Sequence, residues 1–331
     1  MRRREFIAGL GSAAAGWPLA ARAQQPGAVR RIGVLMGTDE NDPQGKAFLS
    51  GFMQGLAKLG WSDGRNLRID VRWAPGSVGR TRTFAKELVD LQPDVILVGS
   101  TSQTAALQRE TLSIPIVFAT VSDPVGEGFV AGLPRPGGNI TGFITSEASL
   151  AGKWLELLTE IAPSVKRSAI MFNPDTAPGR GSYFLPTFET AARSLKVEPI
   201  VAGVHSDAEI ETVMTSLGRE PVGGLVVMPD TFMNVHRAPI ISLAARYNVP
   251  AIYYHSAFAR DGGLLSYGPD PLDIFRRSAS YVDLILRGAK PADLPVQLPV
   301  KFEMALNAKT AKALGLTAPP SIWVRIDELI E

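Results

Sequence analysis

From Arg31 onward, apolar and polar positions fall into short alternating blocks. "RIGVLM" (31–36), "LRIDVRW" (67–73), "DVILVG" (94–99) and "IVFATV" (116–121) are apolar and partly β-branched, and each is bounded by turn-forming residues. They read as strands, the one at 116–121 buried on both faces. Between them the apolar period lengthens. Phe48, Phe52, Leu56 and Leu59 repeat at helical spacing within 43–59, and helices are expected over 83–91 and through Leu107. Alternating strand and helix predicts an α/β chain whose mainly parallel sheets are covered by helices on both faces.

After "RPGGNITGF" (135–143) the alternation restarts. Helices are expected over 153–161, 184–195, 208–217 and 238–247. The strands between and after them are "SAIMF", "VEPIVAGV", "GGLVVM" and "PAIYY". The architecture repeats although the sequence does not. At 331 residues the chain exceeds one ordinary domain, so two lobes are expected. The tail holds a short strand at "GGLLSYG", an amphipathic helix over 271–286, a Pro-rich extended stretch and a last short helix at "NAKTAKALGL". The expected division is 30–145 plus about 268–300 for the first lobe, and 146–267 plus about 301–331 for the second, with a hinge between them.

The first 23 residues stand apart. Three arginines, a weakly apolar Gly/Ala-rich run and Ala21-Arg22-Ala23 have the layout of an export signal cleaved after Ala23. Arg3-Arg4 followed by Glu5, Phe6 and Ile7 resembles a twin-arginine motif, with an ordinary Sec signal as the alternative. Removing this segment changes the charge balance. The chain carries 34 basic and 32 acidic residues; the first 23 hold four arginines and one glutamate, which leaves 30 and 31. The sequence pI of about 8.8 therefore belongs largely to the signal and gives no support for nucleic-acid binding. The chain has no cysteine, which removes disulfides, thiolate metal sites and a lipid-anchor cysteine together. The mature protein is expected to be soluble in the periplasm.

Motifs of catalysis are missing. The three histidines, His205, His236 and His255, lie at no metal-ligand spacing, and no G-x-S-x-G elbow or Walker-type loop is present. No metal, cofactor or catalytic residue is expected. The polar residues gather instead at the ends of expected strands, where open parallel sheets bind ligands. Candidate binding residues are Thr38, Thr101, Ser102, Ser122, Asp123, Asn173, Thr176, Asp230 and Tyr254. Hydroxyls, helix-start N–H groups, carboxylates and a tyrosine suit a small zwitterion. Plainer roles exist for several. Ser122 and Asp123 suit a turn, Thr101 and Ser102 suit helix N-caps, and Asn173-Pro174 suits a turn. Asp230 after "VVMP" reads less readily as a cap. Of Tyr253 and Tyr254, one is expected in the core and the other at the cleft.

These segments resemble the ABC-transporter substrate-binding protein family, whose best-known relatives are tryptophan-type amino-acid binders. The resemblance spans the mature chain and is carried by "GFMQGLAKLGWSDGRNL", "LQPDVILVGST", "VSDPVGEGFVAGLPRPGGNITGF", "GKWLELLTEIAP", "FNPDTAP", "GGLVVMPDTF", "GGLLSYGPD" and "GAKPADLPVQLPVKFEMALNAKTAKALGL". It implies a type I periplasmic-binding fold: two α/β lobes, a three-segment hinge, and an interlobe cleft that closes on a small organic solute such as an amino acid. It also implies two partners, an ABC permease and its ATPase, and a monomeric binding protein. The "SDP" loop, the Thr101 loop and the Asp230 position carry over. Tryptophan-type relatives often have Glu-Asn-Ser where this chain has 173–178 as "NPDTAP", so the ligand stays open. Two other classes fit the fold: an enzyme on a doubly wound scaffold, and a ligand-sensing subunit.

Overall fold

The computed structural model describes residues 29–219 and 222–331. The expected export signal lies outside the described residues. Among the described residues, twelve strands form two sheets. The first sheet holds β1 (Arg30–Met36), β2 (Leu67–Trp73), β3 (Val95–Val98), β4 (Ile116–Val121) and β5 (Ile140–Ile144), in the order β2-β1-β3-β4-β5. All its pairings are parallel. The second holds β6 (Arg167–Phe172), β7 (Glu198–Gly203), β8 (Gly223–Val227), β9 (Ala251–Tyr253), β10 (Leu265–Pro269), β11 (Phe302–Asn307) and β12 (Glu328–Ile330), in the order β12-β11-β10-β9-β8-β6-β7. It is parallel except where β11 runs antiparallel to β10.

The central strands of each sheet are buried on both faces, as their apolar runs require. In the first, Ile32, Val34 and Met36 of β1 join Phe52, Leu56, Ile274 and Val282 on one side. Leu35 joins Ala85, Leu88 and Leu107 on the other. One-residue alternation along a strand thus feeds two cores. The second sheet does the same. Ile170, Phe172 and Val226 face Trp154, Leu158 and Phe188, while Ala169, Met171 and Val227 face Ile210, Met214 and Ile240. No helix among the described residues is long and apolar enough to cross a membrane.

The chain passes between the sheets three times. It leaves the first after β5, returns after β10, and leaves again before β11. The helix Pro271–Leu286 packs on the first sheet, against the helix Pro43–Lys58. Gln297 bridges to Phe143 of β5 before the chain enters β11. The second and third passages are tied together, since Asp270 N–H donates to Lys301 O at 3.0 Å and Lys301 Nζ donates to Asp270 Oδ2 at 2.8 Å.

Three strands were not visible in the alternation. β5 lies inside the Gly-rich segment, where Gly142 at φ 153° interrupts the apolar run. A Cβ there would meet the Phe118 carbonyl oxygen at 2.1 Å, so only glycine lets β5 lie against β4. β11 and β12 are short tail strands that pair with sequence-distant partners.

Candidate functional site

The carboxyl ends of β1, β3, β4 and β5 face those of β6, β8, β9 and β10 across a cleft. The first sheet contributes Thr38 after β1, Ser100 and Thr101 after β3, Thr120 and Ser122 at the end of β4, and Thr145 after β5. The second contributes Thr176 and Pro178 after β6, Pro229, Asp230, Thr231 and Asn234 after β8, and Tyr254 and His255 after β9. An open parallel sheet exposes its loops and helix starts at this edge, so the topology brings these residues together.

The first-lobe wall is rich in hydroxyls. Ser100 is the N-cap of the helix Thr101–Glu110 and accepts from Gln103 N–H at 3.3 Å. The helix start therefore points at the cleft, and its free N–H groups favour an anion. Ser122 is 2% exposed and closes the end of β4. Thr38 Oγ1 is buried and makes no hydrogen bond among the described residues. Thr120 Oγ1 donates to the Gly99 carbonyl. An apolar section is supplied by Phe48 and Phe275, whose rings stack with centroids 5.1 Å apart and 10° between planes.

The second-lobe wall carries the one carboxylate that lines the cleft among the described residues. Asp230 is the N-cap of the five-residue helix Thr231–Val235 and accepts from Met233 N–H at 2.7 Å. The expectation that it would not cap is thus corrected: the helix is too short to show a period in the sequence. Asp230 also accepts from Asn173 N–H at 2.9 Å and from Thr176 Oγ1 at 3.2 Å. Desolvation pushes its pKa up to about 6, against the opposing pull of these donors. His255 is buried, and desolvation followed by the charges of Arg237 and Arg260 brings its pKa down to about 3, so it is neutral. Burial raises the Tyr254 phenol. Tyr253 packs into the core against Phe258 while Tyr254 faces the cleft.

Thr38, Thr101, Ser122, Thr176, Asp230 and Tyr254 therefore meet on one surface. Three other candidates do not line it. Asp123 Oδ1 accepts from Gly126 N–H at 2.8 Å and shapes its own turn. Asn173 gives its N–H to Asp230, and its Oδ1 accepts from Asp175 N–H at 2.7 Å. Ser102 faces an adjoining cavity with Arg82, Arg109 and Asp175. Sequence reasoning missed Phe48, Phe275, Asn234 and His255 as lining residues. The two phenylalanines share their helical period with core residues, and period alone does not separate a core face from a cleft wall.

Two lobes joined by three passages, with polar strand ends facing across a cleft, define a binding protein for a small solute. The profile of the family described as ABC transporter substrate binding protein matches residues 40–330, and the chain belongs to that family. It is 28% identical over 284 residues to a protein of Clostridioides difficile (strain R20291) named tyrosine-binding protein, covering 84% of this chain and 80% of that one. Among solved structures, an ABC domain from Streptococcus pneumonia in complex with L-Trp matches with a TM-score of 0.83 at 26% identity, covering 91% of this chain and 99% of that one. The ligand-free, open structure of a substrate-binding protein with adhesive properties from Clostridium difficile covers the same shares at the same identity, with a TM-score of 0.66. At equal identity, the chain superimposes more closely on the L-Trp complex than on the open structure.

Proposed function

We propose that this chain is the periplasmic substrate-binding component of an ABC importer and that its cleft takes an amino acid with an apolar or aromatic side chain. One observation carries the reading. A single carboxylate, Asp230, stands across the cleft from a hydroxyl-rich wall with an open helix start, and the Phe48–Phe275 pair lies alongside. Asp230 Oδ2 accepts one protein hydrogen bond and retains capacity for a ligand ammonium. Ser100, Thr101 and Ser122, with the first N–H groups of the helix Thr101–Glu110, suit the carboxylate. The ring pair suits the side chain, a reading supported by relatives named for tyrosine binding and solved with L-Trp. Residues 30–145 with about 268–300 form one lobe in this reading, and 146–267 with about 301–331 the other. They close on the solute about the three passages. The closed protein docks on a permease driven by a separate ATPase, and the twin-arginine segment directs export.

Thermal shift and calorimetry on the mature protein test the assignment. An L-amino acid bound only by the native state at a hundred times its Kd adds about 2.7 kcal/mol of stability. The expected result is that one or more apolar or aromatic L-amino acids raise the melting temperature, while analogues lacking the amine or the carboxylate do not. A panel of amino acids without effect, or a deaminated acid that binds as well as its parent, rejects it.

A further inference from the structure

One corner of the cleft carries a polar network whose donors and acceptors follow from chemistry alone. Arg237 is largely buried, with 15% of its side chain exposed. Its Nη1 points at Asn234 Oδ1 at 3.2 Å and Gln44 Oε1 at 3.5 Å, and its Nε donates to Asp261 at 2.6 Å. A guanidinium has donors only, so the Asn234 atom that faces it is the amide oxygen. His255 Nε2 lies 3.3 Å from that same oxygen and must therefore carry the imidazole proton. Nδ1 is then the acceptor, which agrees with the Ala257 N–H at 3.2 Å and the Gln44 amide nitrogen at 3.4 Å. One arrangement of protons satisfies every contact.

The consequence falls on Asn234. Its oxygen is held by two donors, while its amide nitrogen, with two N–H groups, has no hydrogen-bond partner among the described residues. Asn234 lines the cleft. Gln44, which joins this network, lies one helical turn before Phe48 on the same helix, so the network abuts the ring wall. We propose that Asn234 is a specificity-determining donor, fixed in orientation by Arg237 and His255, and that it selects amino acids whose side chain ends in an oxygen acceptor, a phenol among them. A side chain lying along Phe48 and Phe275 brings its far end to this corner. A ring without the oxygen leaves the amide facing it without a partner, which is unfavourable in a closed site. Arg237 and His255 are positioning residues that keep the amide from turning over.

The inference rests on the amino-acid reading of the cleft, and the test separates the two. Calorimetry with L-tyrosine and L-phenylalanine is run on the mature protein and on Asn234→Leu and Arg237→Met. Wild type is expected to prefer L-tyrosine by at least about tenfold, or ~1.4 kcal/mol. Asn234→Leu should bring the two ligands within about threefold of each other. Arg237→Met should lower the tyrosine-to-phenylalanine ratio, whereas a merely structural role would weaken both ligands alike. Equal affinities in wild type, an unchanged ratio in Asn234→Leu, or binding of an aliphatic amino acid with none of L-tyrosine overturns the selectivity and leaves the amino-acid reading standing. Binding of no amino acid at all overturns both.

Discussion

A carboxylate that accepts two backbone N–H groups and a hydroxyl would ordinarily hold its proton weakly, yet desolvation in the cleft raises Asp230 to about 6. The sign of the pH effect on binding follows. A ligand ammonium pairs with the ionised form, so affinity is nearly full at neutral pH, halved near pH 6, and declines further as protonation removes the charge. At pH 5, one unit below, binding should be about tenfold weaker than at neutral pH. Calorimetry at the two pH values measures this, and proton release on binding near pH 6 accompanies it. Asp230→Asn removes the charge but keeps an acceptor for Met233 N–H, and Asn caps helices as well as Asp does. The variant should fold and lose at least about tenfold in affinity, ~1.4 kcal/mol, and its binding should no longer depend on pH in this range. Equal affinities for variant and wild type would leave Asp230 as a cap alone. Such strand-end polar residues were legible beforehand, because strand ends are where a parallel sheet exposes its loops. Asn234 and His255 were not, because their roles come from Arg237 and Gln44, the latter 190 residues away in sequence from Asn234.

The cleft's apolar section rides on two helices packed together, Pro43–Lys58 and Pro271–Leu286. Their apolar faces were legible from period alone: Phe52, Leu56, Ile274, Phe275, Tyr281, Val282 and Ile285 are buried. Leu59 departs from the pattern, 37% exposed at the helix C-cap where the face no longer meets a neighbour. What the period does not reveal is how closely the helices approach. A Cβ on Gly55 would lie 2.7 Å from Ala279 Cβ and 2.8 Å from the Arg276 carbonyl oxygen. That carbonyl is part of the helix backbone and cannot move without its helix. A Cβ on Gly51 would meet Leu272 Cδ1 at 2.6 Å, the far end of a flexible side chain. Alanine is favoured over glycine in a helix by about 1 kcal/mol, and overpacking costs ~1–3 kcal/mol. At Gly55 overpacking should win, so Gly55→Ala lowers stability in urea titration. At Gly51 Leu272 can turn aside, and Gly51→Ala should be near neutral. Gly55→Ala should also weaken ligand binding, since Phe48 and Phe275 would be forced apart. A Gly55→Ala protein as stable as wild type would show that the helices can separate without cost.

Two contacts join residues of the first sheet's side of the cleft to residues of the second's. On one, Arg237 Nη2 of the second lobe lies 3.6 Å from Asp42 Oδ1 of the first. On the other, Glu127 Oε1 of the loop after β4 accepts the Gly179 N–H at 2.6 Å, beside the cleft-lining Pro178. Neither Glu127 nor Gly179 lines the cleft, so their bond bears on the closed state and not on ligand identity. A binding protein whose competent state is populated only in part has its apparent affinity reduced by that fraction. A hydrogen bond to a charged group contributes ~1.5–3 kcal/mol, with the lower end appropriate to this half-exposed side chain. Glu127→Ala should therefore shift the free protein toward an open arrangement and weaken every ligand by a common factor of about ten or less. The common factor is what separates this residue from Asn234, whose replacement should change the ratio between ligands. Small-angle scattering should show a larger radius of gyration for free Glu127→Ala than for free wild type, and the same compact form for both with saturating ligand. A radius unchanged by the substitution, together with unchanged affinity, would place the hinge equilibrium in the three passages themselves, where Asp270 and Lys301 are already bonded to one another.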